Sequence, residues 1–136
     1  MEDFYKMKKK IKHRDRNTAL KAFLIPVLRR ASYRWSPRSE AIKAARVGIG
    51  KYKCALCESI VGAKEFTVDH KTHVVPIETG FDNWDGFVNR MFCEADEFQI
   101  ICKSCDATKT LAERELRKVF RQARKGLEDE PTNTDG

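Results

Sequence analysis

Two Cys-x-x-Cys pairs, Cys54 with Cys57 and Cys102 with Cys105, stand 44 residues apart in a chain of 136. No other feature limits the fold so tightly. Four thiolates are the number that a closed tetrahedral zinc site needs, and a two-residue spacer lets both sulfurs of a pair face one ion. Lys51, Lys53 and Lys103 are basic neighbours that ease deprotonation. The alternatives are four buried thiols without a metal, or a redox dithiol, for which one pair would suffice. A zinc ion with four protein ligands has no open position for water, so its role is structural. It ties together two distant segments in a domain too small for a large core. It also brings residues 58–70 close to residues 106–110. Cys93 has no partner at ligand spacing and reads as a packed thiol beside Phe92.

Charge is distributed unevenly. From Met1 to Lys53 there are 16 basic and 4 acidic residues, and from Cys54 onward 11 basic and 16 acidic. So positive a segment attracts polyanions by steering and counterion release; a well-solvated helix surface is the plain alternative. No apolar run approaches the ~20 residues that span a bilayer. Ala22 to Leu28 is short, is interrupted by Pro26 and runs directly into Arg29 and Arg30, unlike a signal peptide. The cysteine usage agrees with a cytoplasmic protein.

The length suits one domain, in three stretches. Residues 1–36 read as a basic N-terminal arm and helix, 37–126 as the folded domain, and 127–136 as an acidic tail of disordered composition. Thr18 to Arg30 is expected to be helical with a break near Pro26. Ser36-Pro37 opens a second helix that stops at Gly48 or Gly50. KYKC, EFTVDH, HVVPI and FQIIC read as strands. Residues 87–92 suit a short helix with Phe87 and Phe92 inward. Residues 107–126 suit a long helix with an apolar stripe of Leu111, Leu116, Val119, Phe120 and Ala123. The class is α+β.

Asp69 and His70 close the EFTVDH strand, and Asp106 follows the second cysteine pair directly. Strand alternation puts Asp69 and His70 on opposite faces unless the chain bends. The staple is expected to gather Asp69, His70 and Asp106 around one cleft. Two carboxylates and an imidazole suit a hard divalent ion and a proton acceptor. His73 is the nearest competitor to His70, with a solvent-facing or Pro76-packed ring as its plainer role. His13 reads as solvated, Trp84 and Phe87 as core, and Trp35 as a structural aromatic, with stacking on a base as the alternative.

CALC, then VDH, then WDGFVNRMFC, then FQIICKSC with ATKT after Asp106, resembles the pattern of four-cysteine HNH endonucleases of phages and bacteria. The resemblance covers about residues 37–112. It implies a ββα-metal finger stapled by zinc, with flanking helices, cutting DNA phosphodiester bonds. It further implies that Asp69 ligates the catalytic ion and that His70 is the general base. Asp106 stands where the family usually carries a histidine ligand, which suits Mg2+ or Mn2+, with Ni2+ or Zn2+ also admitted. The family's asparagine position reads Asp96-Glu97-Phe98 here, leaving Asn89 or Asn83 for that role. Phosphate contacts are expected from Lys8, Lys9, Lys10, Arg29, Arg30, Arg34, Arg38, Arg46, Arg90 and Lys109, with weak sequence preference. Arg90 has a local carboxylate such as Asp85 as its alternative partner. A monomer or dimer acting on DNA, beside phage terminase or portal proteins, is the implied setting. The alternatives are a zinc-containing DNA-binding module without catalysis, or an accessory protein of phage packaging or replication.

Overall fold

The computed structural model describes residues 15–128, so the Lys8–Lys10 and His13 expectations and most of the acidic tail lie outside it. The chain divides into two compact units, Met1–Tyr33 and Arg34–Gly136.

The described part of the first unit is helix α1, Arg16–Ser32. Asp15 caps it, its Oδ1 accepting from the Thr18 N–H at 2.7 Å. Arg29 and Arg30 sit in its last turn, where cations favour the helix dipole. The expected break near Pro26 does not occur. Ala22 and Pro26 are both exposed, so water can satisfy the Ala22 carbonyl that proline leaves without a donor.

The second unit opens with α2, Ser36–Ala45, which has Pro37 in its first turn. Its cap residue is Trp35, which makes no side-chain cap bond. The indole instead donates to the Cys93 carbonyl at 2.7 Å and meets Phe92 edge-on. The helix ends at Ala45, short of the expected glycines, because Arg46–Gly48 is strand β1. It pairs antiparallel with β2, Lys51–Lys53, across a turn at Gly50, whose φ of 65° suits a residue without a Cβ. β3, Ile60–Gly62, completes this three-stranded sheet in the order β1-β2-β3.

A second sheet pairs β4, Phe66–His70, antiparallel with β5, Phe98–Cys102, from Phe66 opposite Cys102 to His70 opposite Phe98. β5 is the central element of the core. Phe98, Ile100, Ile101 and Cys102 are all buried. Helix α3, Trp84–Met91, buries Phe87 and Met91 one turn apart, and Asn83 caps it by accepting from the Gly86 N–H at 2.7 Å. Phe92 is half-buried against Trp35.

Two expectations fail here for related reasons. The HVVPI segment is a loop, not a strand. Two of its carbonyls are engaged by the last helix, α4, Lys103–Glu128: Arg117 donates to the Val75 and Pro76 oxygens, and Arg124 to the oxygen of Glu78 just beyond the segment, while Arg90 of α3 donates to the Val74 oxygen. The packed face of α4 therefore contains Glu113, Arg117 and Arg124. The anticipated apolar stripe is left largely open, with Leu111 and Val119 each 60% exposed and Leu116 48%. A helix of 26 residues is about 39 Å long.

Candidate metal centre and the Asp69 cluster

The first cysteine pair sits in the turn between β2 and β3. Cys54 N–H donates to the Ser59 carbonyl at 2.8 Å, Glu58 N–H to the Cys54 carbonyl at 3.0 Å, and Glu58 takes a φ of 64° to close the turn. The second pair spans the junction of β5 and α4. The two turns meet because Ala55 N–H reaches across to the Ile100 carbonyl at 2.8 Å. Cys54 and Ile101 are fully buried, and Cys102, Val61 and Cys105 pack around them.

The four sulfurs lie within 4.8 Å of one another, with Cys57 and Cys102 Sγ 3.7 Å apart. A tetrahedron of thiolates at the usual 2.3 Å zinc–sulfur distance has edges of about 3.8 Å, so the spacing fits zinc. Backbone N–H groups point at the sulfurs, as thiolate ligands require. Cys57 and Cys102 N–H approach Cys54 Sγ at 3.5 and 3.3 Å, and Cys105 N–H approaches Cys102 Sγ at 3.4 Å.

Burial opposes ionisation of Cys54, yet the N–H groups of Cys57, Cys102 and Leu56 more than offset it and bring the thiol down to about 6. Contacts with Ser59 lower Cys57. Cys105 is the opposite case. Hydrogen bonding with the Cys102 and Cys57 thiols, together with desolvation, pushes it up to about 12. Four thiolates crowd one another unless a divalent charge offsets theirs, which is the property of a metal-binding set. Cys93 lies apart, its thiol raised by burial.

Asp69 and His70 project to opposite sides of β4, as strand alternation requires. His70 Nε2 lies 3.0 Å from the Met91 carbonyl of α3, and its ring packs on Phe98. A carbonyl only accepts, so Nε2 carries the hydrogen, and a neutral ring then has its lone pair on Nδ1. Asp69 faces α4. Its Oδ2 accepts from Gln99 Nε2 at 2.8 Å and lies 3.0 Å from Lys109 Nζ. Lys109 Nζ is also 2.5 Å from Glu113 Oε1, which in turn is 2.7 Å from His73 Nε2.

Asp106 is half-buried in the first turn of α4, where an acid favours the helix dipole. The expected gathering of Asp69, His70 and Asp106 into one donor set is not found in this arrangement. Among the described residues, the four cysteines are the one group of three or more such donors close enough to hold an ion. Glu113 went unnoticed in the sequence, although Lys109 and Glu113 at i, i+4 on one helix face were a usable signal.

Of the residues expected on phosphate, Arg29, Arg30, Arg34 and Arg46 are exposed. Arg46 Nε bonds its neighbour's carbonyl at Gly48, and Arg38 is half-buried. Arg90 is engaged within the fold, donating to the Val74 carbonyl and to Asp82, not Asp85. Asn89 is exposed on α3 and lines a small hollow with Thr72, Cys93 and Glu97. Exposed Arg114, Lys118 and Arg121 border a groove on α4 with Thr110 and Glu113. Their spacing of four and three residues shows them on one helix face.

The chain is thus an α+β protein with small antiparallel sheets, helices and a four-cysteine cluster suited to zinc. No helix among the described residues is long and apolar enough to cross a membrane. Comparison with protein-family models, with curated proteins and with solved structures finds no match.

Proposed function

We propose that this chain is an endonuclease or nickase of the HNH type, hydrolysing DNA phosphodiester bonds with His70 as the general base. The single observation that carries this reading is the contact of His70 Nε2 with the Met91 carbonyl. It fixes the ring and, in the neutral form, leaves Nδ1 as the proton acceptor for an attacking water. Exposed Arg29, Arg30, Arg34, Arg46, Arg114 and Arg121 supply phosphate contacts without base readout. Asp69 is the carboxylate through which a divalent ion would join, its chemistry being to neutralise charge at the scissile phosphate. Asp69, His70 and Asp106 do not form a ready ligand set, so no step is assigned to that ion.

A second reading, a zinc-containing DNA-binding module without catalysis, is favoured by one specific contact: the Lys109 ammonium already neutralises Asp69. Nicking of supercoiled plasmid in Mg2+, Mn2+ and Ni2+ separates the two. The nuclease reading expects the chain to nick, and His70→Ala to lose roughly 100-fold or more of the rate. Activity appearing only in Asp106→His would mean that Asp106 has disabled the site. Plasmid binding without nicking by either chain would leave the binding module.

A further inference from the structure

Of the 11 basic residues from Cys54 onward, all but Lys64, Lys71 and Arg90 lie on α4. Beyond Lys103 at its start, they divide between two faces of the helix. Lys109 meets Asp69, Arg117 the Val75 and Pro76 carbonyls, and Arg124 the Glu78 carbonyl, so these three serve the fold. Arg114, Lys118, Arg121 and Lys125 are exposed. At about 100° per residue they fall within a sector of about 60° on the side away from Lys109. Arg114, Arg121 and Lys125 make no ion pair with any described residue, and Lys118 has the exposed Glu115 at 3.4 Å. The nearest other carboxylate, Glu113, is held by Lys109 and His73. An open groove of about 440 Å³ runs among Thr110, Arg114, Lys118 and Arg121. A solvated helix face intersperses the two signs at neighbouring turns. This one repeats a single sign over about 16 Å, in a stretch of chain whose acids outnumber its bases.

We propose that the ridge of Arg114, Lys118, Arg121 and Lys125 is a docking surface for the phosphate backbone of duplex DNA, separate from the His70 centre. The proposal deepens the DNA reading above and rests on it for the identity of the polyanion. A single strand is held by bases stacked on aromatic rings, and the ridge carries no aromatic residue. It offers instead a straight row of charges, which matches the stiff line of phosphates on a duplex, about one per 1.7 Å of axis. The two guanidinium forks can each take a phosphate through paired N–H groups, and the two ammonium groups act as point charges. Asp69 faces α4 whereas His70 projects to the other side of β4 and packs on Phe98. The ridge, on the side of α4 away from Lys109, therefore grips duplex at a distance from any phosphate beside His70. Its contribution is affinity and salt dependence, equal in ground and transition states, and none of the chemistry.

The test is fluorescence anisotropy of a short labelled DNA duplex titrated with the zinc-loaded full chain at a series of NaCl concentrations. Zinc content and circular dichroism confirm that each variant is folded. The triple variant Arg114→Gln, Arg121→Gln, Lys125→Gln is expected to flatten the slope of log affinity against log salt by about 0.9 per charge removed, and to bind about tenfold more weakly or worse at moderate salt. Lys43→Gln, Lys64→Gln and Lys71→Gln together remove the same charge from exposed positions off the ridge and are expected to keep the wild-type slope. Equal slopes for the wild type and the ridge variant overturn the proposal, as does an equal loss in the off-ridge variant. Displacement of the duplex by polyglutamate as readily as by unlabelled duplex also overturns it, in favour of an acidic protein partner. Plasmid nicking by the same preparations separates this idea from the nuclease reading. A ridge-dependent slope in a chain that does not nick keeps the docking surface and removes the nuclease. Nicking with a slope indifferent to the ridge does the reverse. Where both hold, the ridge variant is expected to raise KM and leave kcat unchanged.

Discussion

A single oxygen of Glu113 serves both Lys109 and His73. Burial alone would raise this carboxyl, but hydrogen bonds from the two partners more than offset it and hold it below its ordinary 4.5. Burial likewise opposes the charge of Lys109, yet its bonds to Glu113 and Asp69 hold it above 10.5. The depressed carboxyl contributes stability above its unfolded value and loses it as pH falls through its folded one. The raised lysine contributes below its unfolded value and loses it as pH rises through its folded one. The deficit of Glu113→Gln in urea unfolding should therefore shrink as pH falls below the carboxyl's ordinary 4.5 and through its lower folded value. Partial exposure keeps its size to about 1 kcal/mol. A deficit that does not change with pH would mean that the contact is packing, not charge. The cysteines were legible at this scale because two-residue spacing is itself the geometry of a metal turn. Glu113 was legible only as the i, i+4 partner of Lys109; that the pair meets Asp69 depends on where β4 aims that side chain, which no local pattern records.

Between residues, the elements follow their caps and their neighbours. Asn83 satisfies the first turn of α3, so Asn83→Ala should cost about 1 kcal/mol in thermal or urea unfolding. An unchanged midpoint would show that water replaces the cap. Arg117 is the larger case. Its guanidinium satisfies two carbonyls of the loop after β4, and Arg117→Met should cost roughly 1–3 kcal/mol. It should also speed hydrogen exchange around Ile77, whereas exchange as slow as in the wild type would remove Arg117 from that role. This contact explains why Val74 and Val75, β-branched and apolar, do not form the expected strand. Long-range donors, Arg90 of α3 for Val74 and Arg117 of α4 for Val75 and Pro76, take the carbonyls that a neighbouring strand would have used. Amphipathic spacing found α4, but periodicity alone did not reveal that its packed face is polar.

The body of the second unit has few fully buried large side chains, Phe87 and Ile101 chief among them. Ile101→Ala should cost about 2–5 kcal/mol, enough to abolish the cooperative unfolding transition of so small a domain. The α+β class and the joining of two distant segments by cysteines were readable from order and spacing. The meeting of Asp69 with Lys109 was not, because the cysteine pairs fix where α4 begins but not which of its side chains meets β4. Cys54, Cys57, Cys102 and Cys105 bring the first turn, the end of β5 and the start of α4 within ion-binding distance, their sulfurs lying within 4.8 Å of one another. The most direct measurement is native mass spectrometry of the purified chain, with elemental analysis, before and after chelation. One zinc per chain is expected, with near-ultraviolet circular dichroism collapsing on its removal and in Cys54→Ser. A metal-free or disulfide-bonded chain that keeps the same dichroism and unfolding midpoint would contradict the account.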